Sequence, residues 1–158
     1  MRTKLTPDSM NIYLSAAYGR REEMREVANF FRSLTEIDVT AAWIYTSIDN
    51  LNHKERSDCA HLDHRQISEC DLFVTFTESN HSIYYTGARH VELGIALALE
   101  KRIVAIGPRE NVFHDHFDVE HYESFELFLQ CEGWLDKNVE EFAALQTWLA
   151  THAGEAPA

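Results

Sequence analysis

The stretch Gly87-Ala88-Arg89-His90-Val91-Glu92-Leu93-Gly94-Ile95-Ala96-Leu97-Ala98-Leu99-Glu100-Lys101 decides the fold class. From Val91 to Leu99 every residue is apolar or glycine except Glu92. That density suits a helix packed on a sheet, and it runs on into the apolar Ile103-Val104-Ala105-Ile106. A helix followed at once by a buried strand is half of a βαβ unit. Glu92 breaks the pattern. A carboxylate early in a buried helix either answers the positive helix end or serves chemistry.

The same alternation extends outward in both directions. Upstream, strands are expected over 10–17, 39–44 and 72–76, with helices over 22–34 and 55–69 between them. The first helix carries Met24, Val27, Ala28, Phe31 and Leu34 at helical spacing, and the second turns Cys59, Leu62, Gln66 and Ile67 inward. Downstream, strands over 102–106 and 119–122 precede a short helix over 124–129. A closing helix over 136–151 buries Val139, Phe142, Leu145, Trp148 and Leu149. Repeated strand–helix units predict an α/β, doubly wound, mostly parallel five-stranded sheet with helices on both faces. The pattern gives a single domain over 10–151, with loose ends at 1–9 and 152–158.

Composition narrows the partners. Fourteen basic residues against 26 acidic ones leave a formal charge of −12, which repels polyanions and argues against nucleic-acid polymers and anionic membranes. No run reaches the about 18 apolar residues of a membrane span, and the polar start has no signal-peptide apolar stretch. Cys59, Cys70 and Cys131 are odd in number and form no CxxC pair, as expected of reduced thiols. A cytoplasmic protein is the expectation.

In a doubly wound sheet, ligands bind beyond the carboxyl ends of the strands. Four segments meet there: 13–21, 43–47, 75–92 and 107–114. They bring Tyr13, Arg20, Trp43, Arg89, His90, Glu92 and Asn111 to one rim. Arg20 stands where the first helix begins, a place suited to a phosphate or to a solvated charge. Tyr13 fits a core position as well as a site, Asp71 fits a plain helix-to-strand junction as well as a site, and Trp43 fits stacking on a base as well as core packing. No GxGxxG, Walker loop or GxSxG elbow is present. His61 with His64, and His114 with His116, lack the companions of a zinc site. Neither metal nor cofactor is expected.

Two segments resemble the nucleoside 2-deoxyribosyltransferase-like superfamily: Ile12-Tyr13-Leu14-Ser15-Ala16-Ala17-Tyr18-Gly19-Arg20-Arg21-Glu22-Glu23 and the Glu92 block. The nearer branch is the nucleotide N-glycosidases. Weaker likenesses lie in Asp63 through Cys70-Asp71-Leu72 and in the segment 107–114, and the whole spans about 10–125. The resemblance implies a flavodoxin-like fold, a homodimer, and cleavage of the N-glycosidic bond of a (deoxy)nucleoside 5′-monophosphate, with a pyrimidine base expected. It makes Glu92 the nucleophile, Tyr13 the residue orienting it, and Asp71 the aspartate associated with the departing base. Ala17, Gly19 and Arg20 become the phosphate loop, while Thr86, Gly87, Arg89, His90, Asn111 and Trp43 contact substrate, Asn111 from the region that often serves the neighbouring subunit. Transferases of the family carry another acid six positions before the nucleophile, where this chain has Thr86. That departure, with the cationic Arg89 and His90, favours a negatively charged ligand. A base-exchanging transferase and a non-catalytic nucleotide sensor are the rival readings.

Overall fold

The computed structural model describes residues 10–79 and 87–152. Five parallel strands form one sheet: β1 (Met10–Ser15), β2 (Ile37–Val39), β3 (Leu72–Phe76), β4 (Arg102–Ile106) and β5 (Val119–Tyr122), in the order β2-β1-β3-β4-β5. Order reverses between β1 and β3, so the crevice for a ligand opens above those two strands. β1 and β3 are buried on both faces, which is why they read as near-continuous apolar runs.

Helices cover both faces. On one lie α1 (Arg21–Ser33) and α5 (Val139–His152), joined by α4 (Phe125–Glu132) through a cluster of aromatic edges. Phe125 touches Phe30, Phe31, Phe76 and Phe142 with centroids 5.5–6.3 Å apart. On the other lie α2 (His53–Glu69) and α3 (Ala88–Ala98). α2 starts on a capping box in which the Asn52 side chain accepts from Glu55 N and Glu55 accepts from Asn52 N. Gly133 ends α4 in the left-handed conformation. Among the described residues no helix is long and apolar enough to cross a membrane.

Some expectations need correction. The stretch 39–44 is not a strand: β2 stops at Val39, and Ala42–Tyr45 forms a 3-10 turn. Ile44 is buried because that turn packs against α1 and α2, and a short apolar run cannot tell the two cases apart by pattern. Val139 is exposed at the start of α5, whereas Phe142 and Leu145 face the core. On α2 only Ile67 is fully buried, while Cys59, Leu62 and Gln66 are half-buried.

Candidate active site

The site starts from strand geometry. Side chains alternate across a strand, so Tyr13 and Ser15 share one face of β1 while Ile12 and Leu14 take the other. Tyr13 is fully buried and stacks on Phe73 of β3 at 5.8 Å. On α3, residues 89, 92, 93 and 96 form the buried side. The two patterns meet at one carboxylate. Tyr13 Oη donates to Glu92 Oε1 at 2.9 Å, and Ser15 Oγ donates to Oε2 at 2.5 Å. Both oxygens are therefore aimed by strand β1, at the switch point.

Glu92 is the fifth residue of α3, beyond the first turn, where the helix dipole acts most strongly. Burial dominates its titration and pushes its pKa to about 7; Asp63 adds to the rise, and the bonds from Ser15 and Tyr13 oppose it. Burial also lifts Asp63 to about 6, against a bond from Tyr13. Tyr13 is pushed far above its ordinary value by burial and by the two acids, so it stays a hydrogen donor. Two carboxyl groups flank one phenol.

Asp63 was not singled out from sequence as a site residue. Its signal was there: Cys59, Asp63 and Ile67 recur every fourth residue on the inner side of α2. Asp71, expected to hold that role, does something else. Its Oδ2 accepts from Asn11 N at 2.8 Å, at the amino edge of the sheet. Four residues of strand, about 13 Å, separate that level from Ser15. Asp71 ties strand ends together and lies away from Glu92. Ser15 was also missed, although it is the polar residue two positions beyond Tyr13 in an apolar strand.

The remaining expected residues divide. Ala17, Gly19 and Arg20 lie in and beside the 3-10 turn Tyr18–Arg20 at the carboxyl end of β1, and Arg20 N donates to Ala17 O. The Arg20 guanidinium is bonded to Glu23 and Glu78. Burial disfavours its charge, but those carboxylates outweigh that and its pKa rises. Arg89 is buried and paired with Glu110. Trp43 is half-buried, and its Nε1 donates to Leu14 O at 2.7 Å, so the indole anchors the turn after β2 to β1. Gly87 precedes α3 and is exposed, and Thr86 lies outside the described residues. Asn111 is engaged within its own chain: Oδ1 accepts from Phe113 N at 2.9 Å and Nδ2 meets His90 Nδ1 at 3.3 Å. Its expected part in a neighbouring subunit's site gains no support from that geometry.

His90, Glu110 and His114 offer ligand atoms within 4.8 Å of one another. Their bonding does not fit a metal. His114 Nδ1 accepts from the backbone N–H of Glu110 and Asn111 at 3.1 and 3.3 Å, which leaves the proton on Nε2. A metal-binding imidazole has the reverse arrangement, a free lone pair toward the ion and a donating N–H behind it. Burial lowers the pKa of both histidines, with Arg89 as the next cause at His90.

The fold has known counterparts. Over 78% of this chain and 98% of the other it matches the CMP N-glycosidase BcmB of Clostridium botulinum, at 21% identity and a TM-score of 0.53. It also matches a 2-deoxyribosyltransferase of Bacillus psychrosaccharolyticus over 85% of this chain and 95% of that one, at 19% identity and a TM-score of 0.58. The fold is theirs. No family model matches the chain, and no curated protein matches it at the sequence level. At these identities the likeness speaks to architecture alone, which is the α/β architecture expected from sequence.

Proposed function

We propose that this protein is an enzyme that cleaves the N-glycosidic bond of a nucleoside 5′-monophosphate, with a pyrimidine as the expected base and Glu92 as nucleophile. The observation that carries the reading is the buried Glu92 carboxylate, each oxygen of which is held by a donor from β1 at the switch point. Both fold counterparts carry names of enzymes acting on such bonds, which supports the class of reaction.

A carboxylate in this setting suits a sugar that becomes cationic as its base departs. One Glu92 oxygen bonds to C1′ while the C1′–N bond breaks and its electron pair leaves with the base. Asp63, across Tyr13 from Glu92 and lifted by burial to about 6, shares protons with Glu92 around neutrality. The reactive form is the one in which Asp63 holds the proton and Glu92 is ionised; that proton passes to the base. Water then attacks C1′, gives its proton to the Asp63 carboxylate, and releases Glu92 with free sugar phosphate. Tyr13 stabilises the ionised Glu92 in the free enzyme and gives up that bond as the ester forms.

The test is chromatography of free base released from a panel of nucleoside 5′-monophosphates and nucleosides, for the wild-type protein and Glu92→Gln. Release by the wild type and its loss in the variant are expected. No base from any substrate, or an equally active variant, refutes the reading. A second base added to the mixture distinguishes transfer, which yields a new nucleoside, from hydrolysis. The exposed Val91, Val112 and Phe113 flank His90 and Asn111, and this apolar rim is where the second copy of a homodimer would pack.

A further inference from the structure

Arg20 and Arg89 are the two cations that the nucleotide reading needs, and both are matched internally. Arg20 donates through Nε and Nη2 to the two oxygens of Glu23 at 2.7 and 2.6 Å, and through Nη1 to Glu78 at 2.9 Å. Arg89 Nη2 donates to both oxygens of Glu110 at 3.0 and 3.2 Å, and Nε lies 3.3 Å from Oε2. Glu110 also accepts the backbone N–H of Glu78 and lies 3.3 Å from His90 Nε2. One carboxylate thus joins the segment after β3, the first turn of α3 and the segment after β4.

The charges can be counted. Among the described residues, two guanidinium groups face three carboxylates (Glu23, Glu78 and Glu110), and the nearby His90 is held toward its neutral form. An incoming phosphomonoester therefore meets a cluster without net positive charge, inside a protein of formal charge −12. Long-range attraction does not assist its entry. What it finds is a set of donors, the two arginines and His90, currently committed to carboxylates that resemble it in shape and hydrogen-bonding pattern.

We propose that Glu110, with Glu78 acting alike on Arg20, is an internal competitor for the substrate's anionic group. A phosphomonoester binds by taking the carboxylate's place on Arg89 and His90, and Glu110 thereby sets the preference between phosphorylated and unphosphorylated nucleosides. This rests on the nucleotide reading of the site. Exchange of one charge-assisted bond for another leaves little net gain, so the carboxylate keeps anion affinity modest. A glutamine at position 110 retains the size and one acceptor but frees a unit of positive charge.

The experiment uses the full chain carrying Glu92→Gln, so that binding is read without turnover. Nucleoside 5′-monophosphates, the matching nucleosides and inorganic phosphate are titrated by calorimetry, with and without Glu110→Gln. The dissociation constants of the monophosphates and of phosphate should fall on the order of tenfold, as expected for one charged hydrogen-bonding partner, while those of the nucleosides stay put. Unchanged or weaker monophosphate binding overturns the proposal. So does a parallel change for nucleosides and nucleotides, which would make Glu110 a scaffold, or a lack of binding by any ligand. Glu78→Gln carries the same sign on Arg20 and decides the matter if Glu110→Gln fails to fold. Base release by the wild type with no Glu110 effect sinks this inference alone. Tighter monophosphate binding with no base release by the wild type sinks the enzymatic reading alone.

Discussion

Glu92→Gln should make the folded protein more stable at pH 8 while it abolishes activity. The wild-type carboxyl has its folded pKa raised from 4.5 to about 7, chiefly by burial. A group shifted upward contributes its full stability below the unfolded value and loses it as pH rises through the folded one. The difference is about 2.5 pH units at about 1.4 kcal/mol each, so ionising Glu92 in place costs about 3 kcal/mol. Glutamine stays neutral and fits the same partners, its carbonyl accepting from Tyr13 and its amide donating to Ser15 Oγ. Urea unfolding at pH 5 and pH 8 measures the effect. Relative to the variant, the wild type should lose roughly 2–3 kcal/mol between those values, part of the penalty being already present at pH 5, on the order of 4–12 °C in Tm. A pH-independent difference, or a variant less stable than wild type at pH 8, would refute the claim that burial governs this carboxylate.

Asp63→Asn and Asp71→Asn should separate. The first is expected to lower kcat/KM by roughly 10²-fold or more and remove the alkaline limb of its pH profile. The second should leave activity within about twofold and lower stability by about 1 kcal/mol, through loss of the charged acceptor for Asn11 N. Equal activity losses in steady-state assays would restore Asp71 to the site. Gly107→Ala should destabilise the chain by about 2 kcal/mol or more in denaturant unfolding. Gly107 has φ of +111°, and a Cβ there would lie 2.6 Å from Thr77 Oγ1. A variant of wild-type stability would show that the segment after β4 yields readily.

The strands over 72–76 and 102–106 were legible residue for residue because a parallel sheet buries both faces and writes itself as an apolar run. Glu92 was legible as an interruption in such a run. Tyr13 and Ser15 could be placed on one face by the alternation of a strand, but nothing in their spacing shows which helix covers that face. The run 39–44 misled because a buried turn and a buried strand have the same composition.

Local order and burial are set by neighbours a few residues away, so the chain alone determined its sheet, its helices and the acid at position 92. Pairings between distant segments were decided by packing. The structure takes the acid beside Tyr13 from α2, at Asp63, and sends Asp71 to the opposite edge. It also commits Arg20 and Arg89 to Glu78 and Glu110, 58 and 21 residues away. The free energy of a charge depends on what surrounds it in three dimensions, and no linear spacing encodes that environment.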